Sequence, residues 1–162
     1  MKLTEKLLLI SEFELALENG EDSLDLLFHN LVDTSKRITN SDRGSFFLYD
    51  PKTELLQTQI AEGMPTKITV EIGTGLVGKC ALTKEIVVED DVDTTKNFNS
   101  DIDMGSGYVT RNTLTIPVLD GEENILGVIQ VLNKVSGNYD EQDEELLLSL
   151  ANVASTHICL IH

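Results

Sequence analysis

Residues 133–144 read Asn133-Lys134-Val135-Ser136-Gly137-Asn138-Tyr139-Asp140-Glu141-Gln142-Asp143-Glu144, a junction where an apolar run ends and a helix is predicted to open on acids. The run before it, residues 125–132, predicts a buried strand and places Lys134 at the edge of a core. An unpaired buried charge is costly, so Lys134 needs a partner. Asp143 and Glu144 fall in the first turn of the predicted helix, where carboxylates are favoured by the helix dipole. We therefore expect Lys134 to pair across this strand–helix junction.

The composition of the chain narrows the class of protein. Its 162 residues contain no Pro-, Gly- or Ser-rich linker, which predicts one compact domain. The formal net charge of -16 argues against nucleic acid polymers and anionic membranes as partners. Cys80 and Cys159 form no CxxC pair, so neither a zinc site nor a disulfide framework is indicated. The N-terminus lacks the pattern of a signal or membrane-spanning helix, and we expect a cytoplasmic protein.

Hydrophobic periodicity predicts long helices at both ends of the chain and a sheet between them. Helices are expected over residues 4–18, 23–39, 76–83 and 140–162. Short β-rich runs separated by turn residues predict antiparallel strands over residues 44–49, 55–61, 68–72, 86–89, 112–118 and 125–133. The polar segment 90–111 has no core periodicity, and a loop of that length in a compact domain is usually functional or disordered.

No catalytic constellation is indicated by the sequence. His29, His157 and His162 lack ligand-like spacing, so we predict no metal and no cofactor. Residues 73–78, Gly73-Thr74-Gly75-Leu76-Val77-Gly78, resemble a dinucleotide fingerprint, but no βαβ unit with a later acidic ribose ligand accompanies them. We interpret them as a tight turn into a short helix, whose free backbone N–H groups can help to bind an anion.

Four sequence blocks follow the two predicted N-terminal helices in order. They are Asp42-Arg43-Gly44-Ser45-Phe46-Phe47-Leu48-Tyr49-Asp50, Ile72-Gly73-Thr74-Gly75-Leu76-Val77-Gly78, Gly107-Tyr108-Val109-Thr110-Arg111-Asn112 and Gly127-Val128-Ile129-Gln130-Val131-Leu132-Asn133-Lys134. With the junction they resemble a GAF domain, and more narrowly the regulatory GAF domains of cyclic-nucleotide phosphodiesterases and cyanobacterial-type adenylate cyclases. The likeness covers about residues 23–162.

The junction carries the most specific part of this resemblance. That subfamily has Asn-Lys, a phenylalanine, three residues and then Asp-Glu, which fall here on Asn133, Lys134, Tyr139, Asp143 and Glu144. Tyrosine replaces the phenylalanine, and its hydroxyl must find water or a polar partner, so we expect Tyr139 near the surface. The resemblance implies a structural salt bridge between Lys134 and Asp143 that braces the pocket without touching a ligand.

The fold implied by the resemblance is α+β and GAF-like, of the profilin-like, PAS-related kind. It has a central six-stranded antiparallel sheet, with long N- and C-terminal helices on one face and a ligand pocket on the other, roofed by a loop and short helices. We expect an N-terminal helix with a dimerisation or linker role over residues 1–20 and the GAF domain over residues 21–162. Apolar stripes on both terminal helices, Leu3, Leu7, Ile10 and Leu17 on the first, predict a homodimer formed through these helices.

The function implied by the resemblance is sensing of a small molecule by a regulatory domain of a signalling protein, not catalysis. The expected ligand is a cyclic nucleotide, cAMP or cGMP, and the signal would pass through the terminal helices. Ligand-binding positions carried over from the family are Ser45, Ala61, Glu62, Leu76, Val77, Asp103, Ser106, Thr110 and Gln130. Ser45 and Gln130 would address the base edge, since a hydroxyl and an amide both offer donors and acceptors.

Two other functions stay open. The first is a GAF domain that binds no ligand, or a different small ligand, and serves as a dimerisation and signal-relay module. The second is an enzyme, because some free-standing GAF proteins reduce free methionine sulfoxide with cysteines in the roof loop. No cysteine lies between Ala81 and Thr156, so that chemistry lacks its nucleophile. Because the last apolar stripe still runs at Ile161, we expect the chain to belong to a longer signalling protein, with any catalysis in a separate output domain.

Overall fold

The computed structural model of the chain describes residues 1–19, 23–61, 67–92 and 109–161. Its elements are α1 (Leu3–Glu18), α2 (Leu24–Thr39), β1 (Ser41–Asp50), β2 (Leu55–Ala61), β3 (Thr69–Glu71), α3 (Gly75–Thr83), β4 (Val87–Glu89), β5 (Thr113–Leu119), β6 (Ile125–Lys134) and α4 (Glu141–Ile161). They follow the predicted order, and their ends differ from the predicted ones by a few residues. None of the helices in these ranges is long and apolar enough to span a membrane.

The six strands form one antiparallel sheet in the order β3-β2-β1-β6-β5-β4, which confirms the predicted fold class. Strands β5 and β6 form a hairpin whose turn is held by Asp120. The carboxylate of Asp120 accepts N–H bonds from Asn124 at 2.9 Å and Glu122 at 2.8 Å, and these bonds lower its pKa. The connection through α3 carries the chain from one edge strand, β3, to the other, β4. In this strand order β1 and β6 lie side by side at the centre of the sheet.

Helices α2 and α4 pack on one face of this sheet, and α1 packs against both of them. Helix α2 begins at Ser23, whose hydroxyl accepts the N–H of Leu26 at 3.4 Å. The apolar seam of α4 is fully buried at Leu147, Leu150, Ala154 and Ile158. The helix is exposed at Glu141, Glu145, Ser149 and Asn152. The long helices therefore lie on one side of the sheet, as expected.

The predicted apolar stripe of the first helix is buried only in its second half. Ile10 and Leu17 are buried as expected, in the core shared with α2 and α4, whereas Leu3 and Leu7 are exposed. Phe13, which the prediction left out, is buried with them, because its position lies on the same helical face. Packing against α2 and α4 therefore covers the second half of α1 and not the first.

Helix α3 covers part of the opposite face. The second apolar cluster there comprises Phe47, Leu56, Val70, Val77, Cys80, Ala81 and Val128. The turn into α3 is tight, since Gly73 has a φ of +89° and donates its N–H to the carbonyl of Gly78 at 2.8 Å. A Cβ on Gly78 would lie 2.5 Å from the carbonyl oxygen of Glu71, so only glycine fits there. Residues 73–78 therefore form a tight turn into a short helix, as interpreted from the sequence.

Candidate ligand site

A row of side chains crosses the centre of the sheet on the face that carries α3. Ser45 on β1 lies opposite Ala61 on β2 and opposite Gln130 on β6, and Gln130 lies opposite Thr115 on β5. Because side chains alternate along a strand, Ser45 and Gln130 point to the same face as Phe47 and Val128, the apolar floor under α3. We call Ala61, Ser45, Gln130 and Thr115 the first row. It brings three of the predicted site residues together.

The first row offers buried hydrogen-bonding groups. Ser45, Gln130 and Thr115 are all buried. The amide Nε2 of Gln130 donates to Oγ1 of Thr115 at 3.2 Å, which fixes the Gln130 side chain against its neighbouring strand. A glutamine amide has two donors and an oxygen with two lone pairs, so this bond uses only part of its capacity. The row can therefore present both a hydroxyl and an amide to a polar molecule.

A second row lies next to the first, toward the end of the sheet where β6 stops. It comprises Arg43, Leu132, Thr113 and Glu89, which are opposite one another on β1, β6, β5 and β4. Thr113 is fully buried. Across the described ranges, its Oγ1 is the buried side-chain polar atom without a hydrogen-bond partner.

The sequence-based prediction missed Thr113 and Thr115. The signal was present, because residues 113–116 alternate Thr-Leu-Thr-Ile, the period of a strand with one polar and one apolar face. Leu114 and Ile116 belong to the core under the long helices, so both threonines face the other side.

Helix α3 borders the first row. Leu76 and Val77 are buried, and Val77 packs with Phe47 and Val128, which lie two positions along their strands from Ser45 and Gln130. The N-cap residue Thr74 makes no side-chain capping bond, and the first N–H groups of a helix have no acceptor within it. The start of α3 therefore offers backbone donors, as the resemblance implies for Leu76 and Val77.

Thr110 lies where the chain returns to the sheet, and an asparagine holds it there. The side-chain oxygen of Asn133 accepts the N–H groups of Arg111 at 2.6 Å and Asn112 at 3.2 Å, and its Nδ2 donates to the carbonyl of Val109 at 2.8 Å. These bonds flank Thr110, which is buried. The remaining predicted positions, Glu62, Asp103 and Ser106, and most of the predicted roof lie outside the described residues.

Comparison with known proteins places this arrangement in a family. The GAF domain profile matches residues 23–158. The chain belongs to the GAF domain family. This confirms the resemblance found in the sequence, and the chain is a GAF domain of the kind found in signalling proteins.

Relatives of this GAF domain include much longer proteins. The cGMP-specific 3',5'-cyclic phosphodiesterases of Drosophila mojavensis and Drosophila sechellia are each 29% identical to it over 78% of the chain. The chain spans 13% and 12% of their lengths, respectively. Their similarity agrees with the narrower resemblance to phosphodiesterases.

Solved structures similar to this GAF domain support the fold. The GAF domain of a phosphoenolpyruvate-protein phosphotransferase from Coxiella burnetii superposes with a TM-score of 0.84 at 17% identity, covering 99% of this chain and 96% of that one. Free methionine-R-sulfoxide reductase from Neisseria meningitidis has a TM-score of 0.78 at 18% identity, covering 94% of this chain and 87% of that one. At these identities the similarity shows a shared fold only.

The junction of this GAF domain contains the expected ion pair. Nζ of Lys134 contacts Oδ2 of Asp143, whose side chain is 1% exposed, and Asp140 lies 3.9 Å away. Nζ also lies 6.0 Å from the centroid of the Tyr139 ring, within range of a cation–π contact. Among the described residues the second carboxylate near Lys134 is therefore Asp140, not Glu144.

Asp143 also holds the start of α4. Its N–H donates to the carboxylate of Asp140 at 2.9 Å, and its own carboxylate accepts the N–H of Asp140 at 3.0 Å, a reciprocal capping arrangement. The bond from the Asp143 N–H, aided by the charge of Lys134, lowers the pKa of Asp140. Burial, with the neighbouring carboxylates led by Glu141, raises the pKa of Glu144. One carboxylate thus neutralises the lysine and caps the helix.

The expected position of Tyr139 near the surface is wrong. Its side chain is buried, and its hydroxyl lies 2.7 Å from Oγ of Ser41. Ser41 lies 2.7 Å from Oγ1 of Thr39, which donates to the carbonyl of Ser35 at 2.7 Å. Because the proton of Thr39 goes to Ser35, Ser41 donates to Thr39 and Tyr139 donates to Ser41. The added hydroxyl therefore has a hydrogen-bond partner inside the protein, at the start of β1.

We expect Tyr139→Phe to lower the free energy of unfolding by about 0.5–1.5 kcal/mol, the net value of one hydrogen bond. Urea denaturation of Tyr139→Phe, Ser41→Ala and the double variant measures the coupling between the two hydroxyls. Tyr49→Phe, on β1, serves as the control for loss of a hydroxyl. Strictly additive effects of the Tyr139 and Ser41 changes would contradict the hydrogen-bonded chain.

Proposed function

We propose that this GAF domain is a small-molecule-sensing regulatory domain whose ligand is a cyclic nucleotide, cAMP or cGMP. The proposal rests on the first row, in which Ser45 and Gln130 are adjacent, buried and on the face opposite the long helices. A hydroxyl beside an amide matches the mixed donors and acceptors of a purine edge. The similarity to cGMP-specific phosphodiesterases supports the same ligand class.

An anionic ligand must bind to a chain with a formal net charge of -16. Local backbone donors offset this charge, because the first turn of α3 offers N–H groups next to the first row. The side chain of Arg111 is engaged elsewhere, since its Nη2 donates to the carbonyl of Lys134 at 3.2 Å. The backbone donors support binding of a cyclic phosphate despite the unfavourable overall charge.

Signal relay from the pocket is proposed to use the junction. Asn133 holds Thr110 beside the site, and the next residue, Lys134, pairs with Asp143 at the start of α4. A change at Thr110 would therefore reach the last helix through two adjacent residues. In this proposal residues 1–20 serve dimerisation and residues 21–162 sense the ligand.

A second candidate function is a dimerisation and relay module that binds no cyclic nucleotide. The observation that favours it is the exposed apolar surface of α1, formed by Leu3, Leu7, Leu8 and Leu15. A homodimer through α1 would cover these side chains.

A reductase function has less support. Cys80 is buried, and burial raises its pKa to about 12, so its thiol stays protonated at neutral pH. Cys159 lies on the exposed side of α4, away from the first row.

No group of three His, Cys, Asp or Glu side chains in the described ranges could hold a metal ion.

Titration of the purified domain with cAMP and cGMP, followed by calorimetry and thermal melting, tests the proposal. We expect saturable stabilisation by one of them, about 2.7 kcal/mol at 100 times its dissociation constant. Gln130→Leu should weaken this binding, whereas Gln57→Leu, which changes an exposed glutamine on β2, should not. If neither nucleotide stabilises the wild-type domain, the dimerisation module is favoured, and light scattering should then show a dimer.

A further inference from the structure

The hydroxyl of Thr113 has no hydrogen-bond partner although its side chain is fully buried. Other buried threonines of the sheet are satisfied: Oγ1 of Thr58 accepts the N–H of Ile68 at 2.8 Å, and Oγ1 of Thr115 accepts from Gln130. Burying an unpaired hydroxyl is unfavourable, and native proteins rarely do so without a reason. In the described part of the chain, Thr113 is the residue whose buried, unpaired hydroxyl needs an explanation.

The fold itself does not require this hydroxyl. Thr113 is the first residue of β5 and pairs with both β4 and β6, and at this position valine has nearly the same shape, suits a strand well and leaves no polar atom unpaired. Within the protein, therefore, the hydroxyl of Thr113 makes no favourable contact that would distinguish threonine from valine.

Thr113 lies beside the candidate ligand site. It is two residues before Thr115 on the same strand, so both side chains point to the face of the first row. Leu132 lies opposite it on β6, two residues after Gln130. Leu132 thus separates Thr113 from Arg43 in the second row. The nearest polar residues to Thr113 in the strand pairing are Thr115, Gln130 and Glu89.

We propose that the Thr113 hydroxyl is a ligand-binding group that forms a hydrogen bond with the nucleotide and is unsatisfied until the ligand arrives. This inference rests on the proposed function and adds a contact to it. The partner is an uncharged polar group, such as a base N–H, a base carbonyl or a ribose hydroxyl. A phosphate is disfavoured there because Glu89, an acidic residue, pairs with Thr113 on β4 and its side chain points to the same face.

Three variants separate the hydroxyl from the packing of the side chain. Thr113→Val removes the hydroxyl and keeps the shape. Thr113→Ser keeps the hydroxyl and removes a methyl group. Thr115→Val is the matched control on the same strand, because it removes a hydroxyl that Gln130 already uses. Each variant is melted without ligand and titrated with cAMP and cGMP by calorimetry.

We expect Thr113→Val to melt at or above the wild-type temperature without ligand and to bind the nucleotide about threefold to tenfold more weakly, the range for one neutral hydrogen bond. Thr113→Ser should bind more tightly than Thr113→Val. Thr115→Val should lower the melting temperature without ligand. If Thr113→Val destabilises the free domain as much as Thr115→Val, the hydroxyl is satisfied inside the protein and the inference fails.

Two further results overturn the inference in distinguishable ways. A wild-type domain that binds a cyclic nucleotide, with Thr113→Val binding it equally well, overturns the Thr113 contact alone. A wild-type domain that binds neither nucleotide overturns the proposed function and the contact with it.

Discussion

Replacing Asp143 with alanine is expected to lower the free energy of unfolding by about 3–5 kcal/mol, because Lys134 then stays buried without its partner. The side chain of Lys134 is 14% exposed, so water cannot readily replace the lost carboxylate. The same change removes the acceptor for the N–H of Asp140 at the start of α4. For a domain of this size the loss corresponds to a fall of roughly 6–20 °C in melting temperature, measurable by calorimetry.

Three companion variants isolate the ion pair. Glu141→Ala removes an exposed acid from the same helical turn and should leave the melting temperature nearly unchanged. Asp143→Asn keeps an oxygen for the cap and removes the charge, so it should fall between wild type and Asp143→Ala. The double change Lys134→Met with Asp143→Leu should recover much of the loss, since an apolar pair avoids the desolvation cost. A wild-type melting temperature for Asp143→Ala would refute this account of the junction.

The Asp143→Ala variant is also expected to bind the cyclic nucleotide less tightly, although we expect no direct contact between Asp143 and the nucleotide. Lys134 directly follows Asn133, whose amide holds the segment around Thr110. Loosening the end of β6 would therefore disturb one side of the candidate site. Calorimetric titration well below the new melting temperature separates this effect from unfolding.

Local patterns in the sequence predicted most of the fold. Period-2 runs gave the strands, and the need of a buried lysine for a nearby acid predicted a partner for Lys134 only nine residues away. The apolar stripe of α1 runs along the whole helix, however, and only its second half, with Ile10, Phe13 and Leu17, is buried against α2 and α4. A pattern within one element does not show how much of that element its neighbours cover.

Long-range contacts explain the other differences. Tyr139 reaches Ser41, which is 98 residues away in sequence, so no local spacing could show that its hydroxyl would be satisfied inside the protein. The family resemblance alone indicated Ser45, Ala61 and Gln130 as site residues, because they lie on three different strands and no local spacing connects them. The strand pattern could have placed Thr113 on the site face, but the lack of a partner for its hydroxyl follows from the three-dimensional structure only.

Asn133→Ala is expected to lower the free energy of unfolding by about 2–4 kcal/mol, because it leaves two backbone donors and one acceptor without their partner. Those groups are the N–H of Arg111, the N–H of Asn112 and the carbonyl of Val109. The backbone of Asn133 adds a second cost, since its φ of 55° is tolerated better by asparagine than by alanine. Faster hydrogen exchange at the amides of Arg111 and Asn112 should accompany the loss.

Asn133→Gly separates these two costs, because glycine accepts a positive φ without strain but lacks the amide. We expect it to be about 1 kcal/mol more stable than Asn133→Ala and to lose the same exchange protection at Arg111 and Asn112. Asn152→Ala, at an exposed position of α4, controls for loss of an asparagine. If Asn133→Gly kept wild-type protection, the backbone conformation rather than the amide would hold Thr110 in place. Lost protection together with weaker nucleotide binding would make Asn133 the residue that couples the candidate site to the Lys134–Asp143 pair.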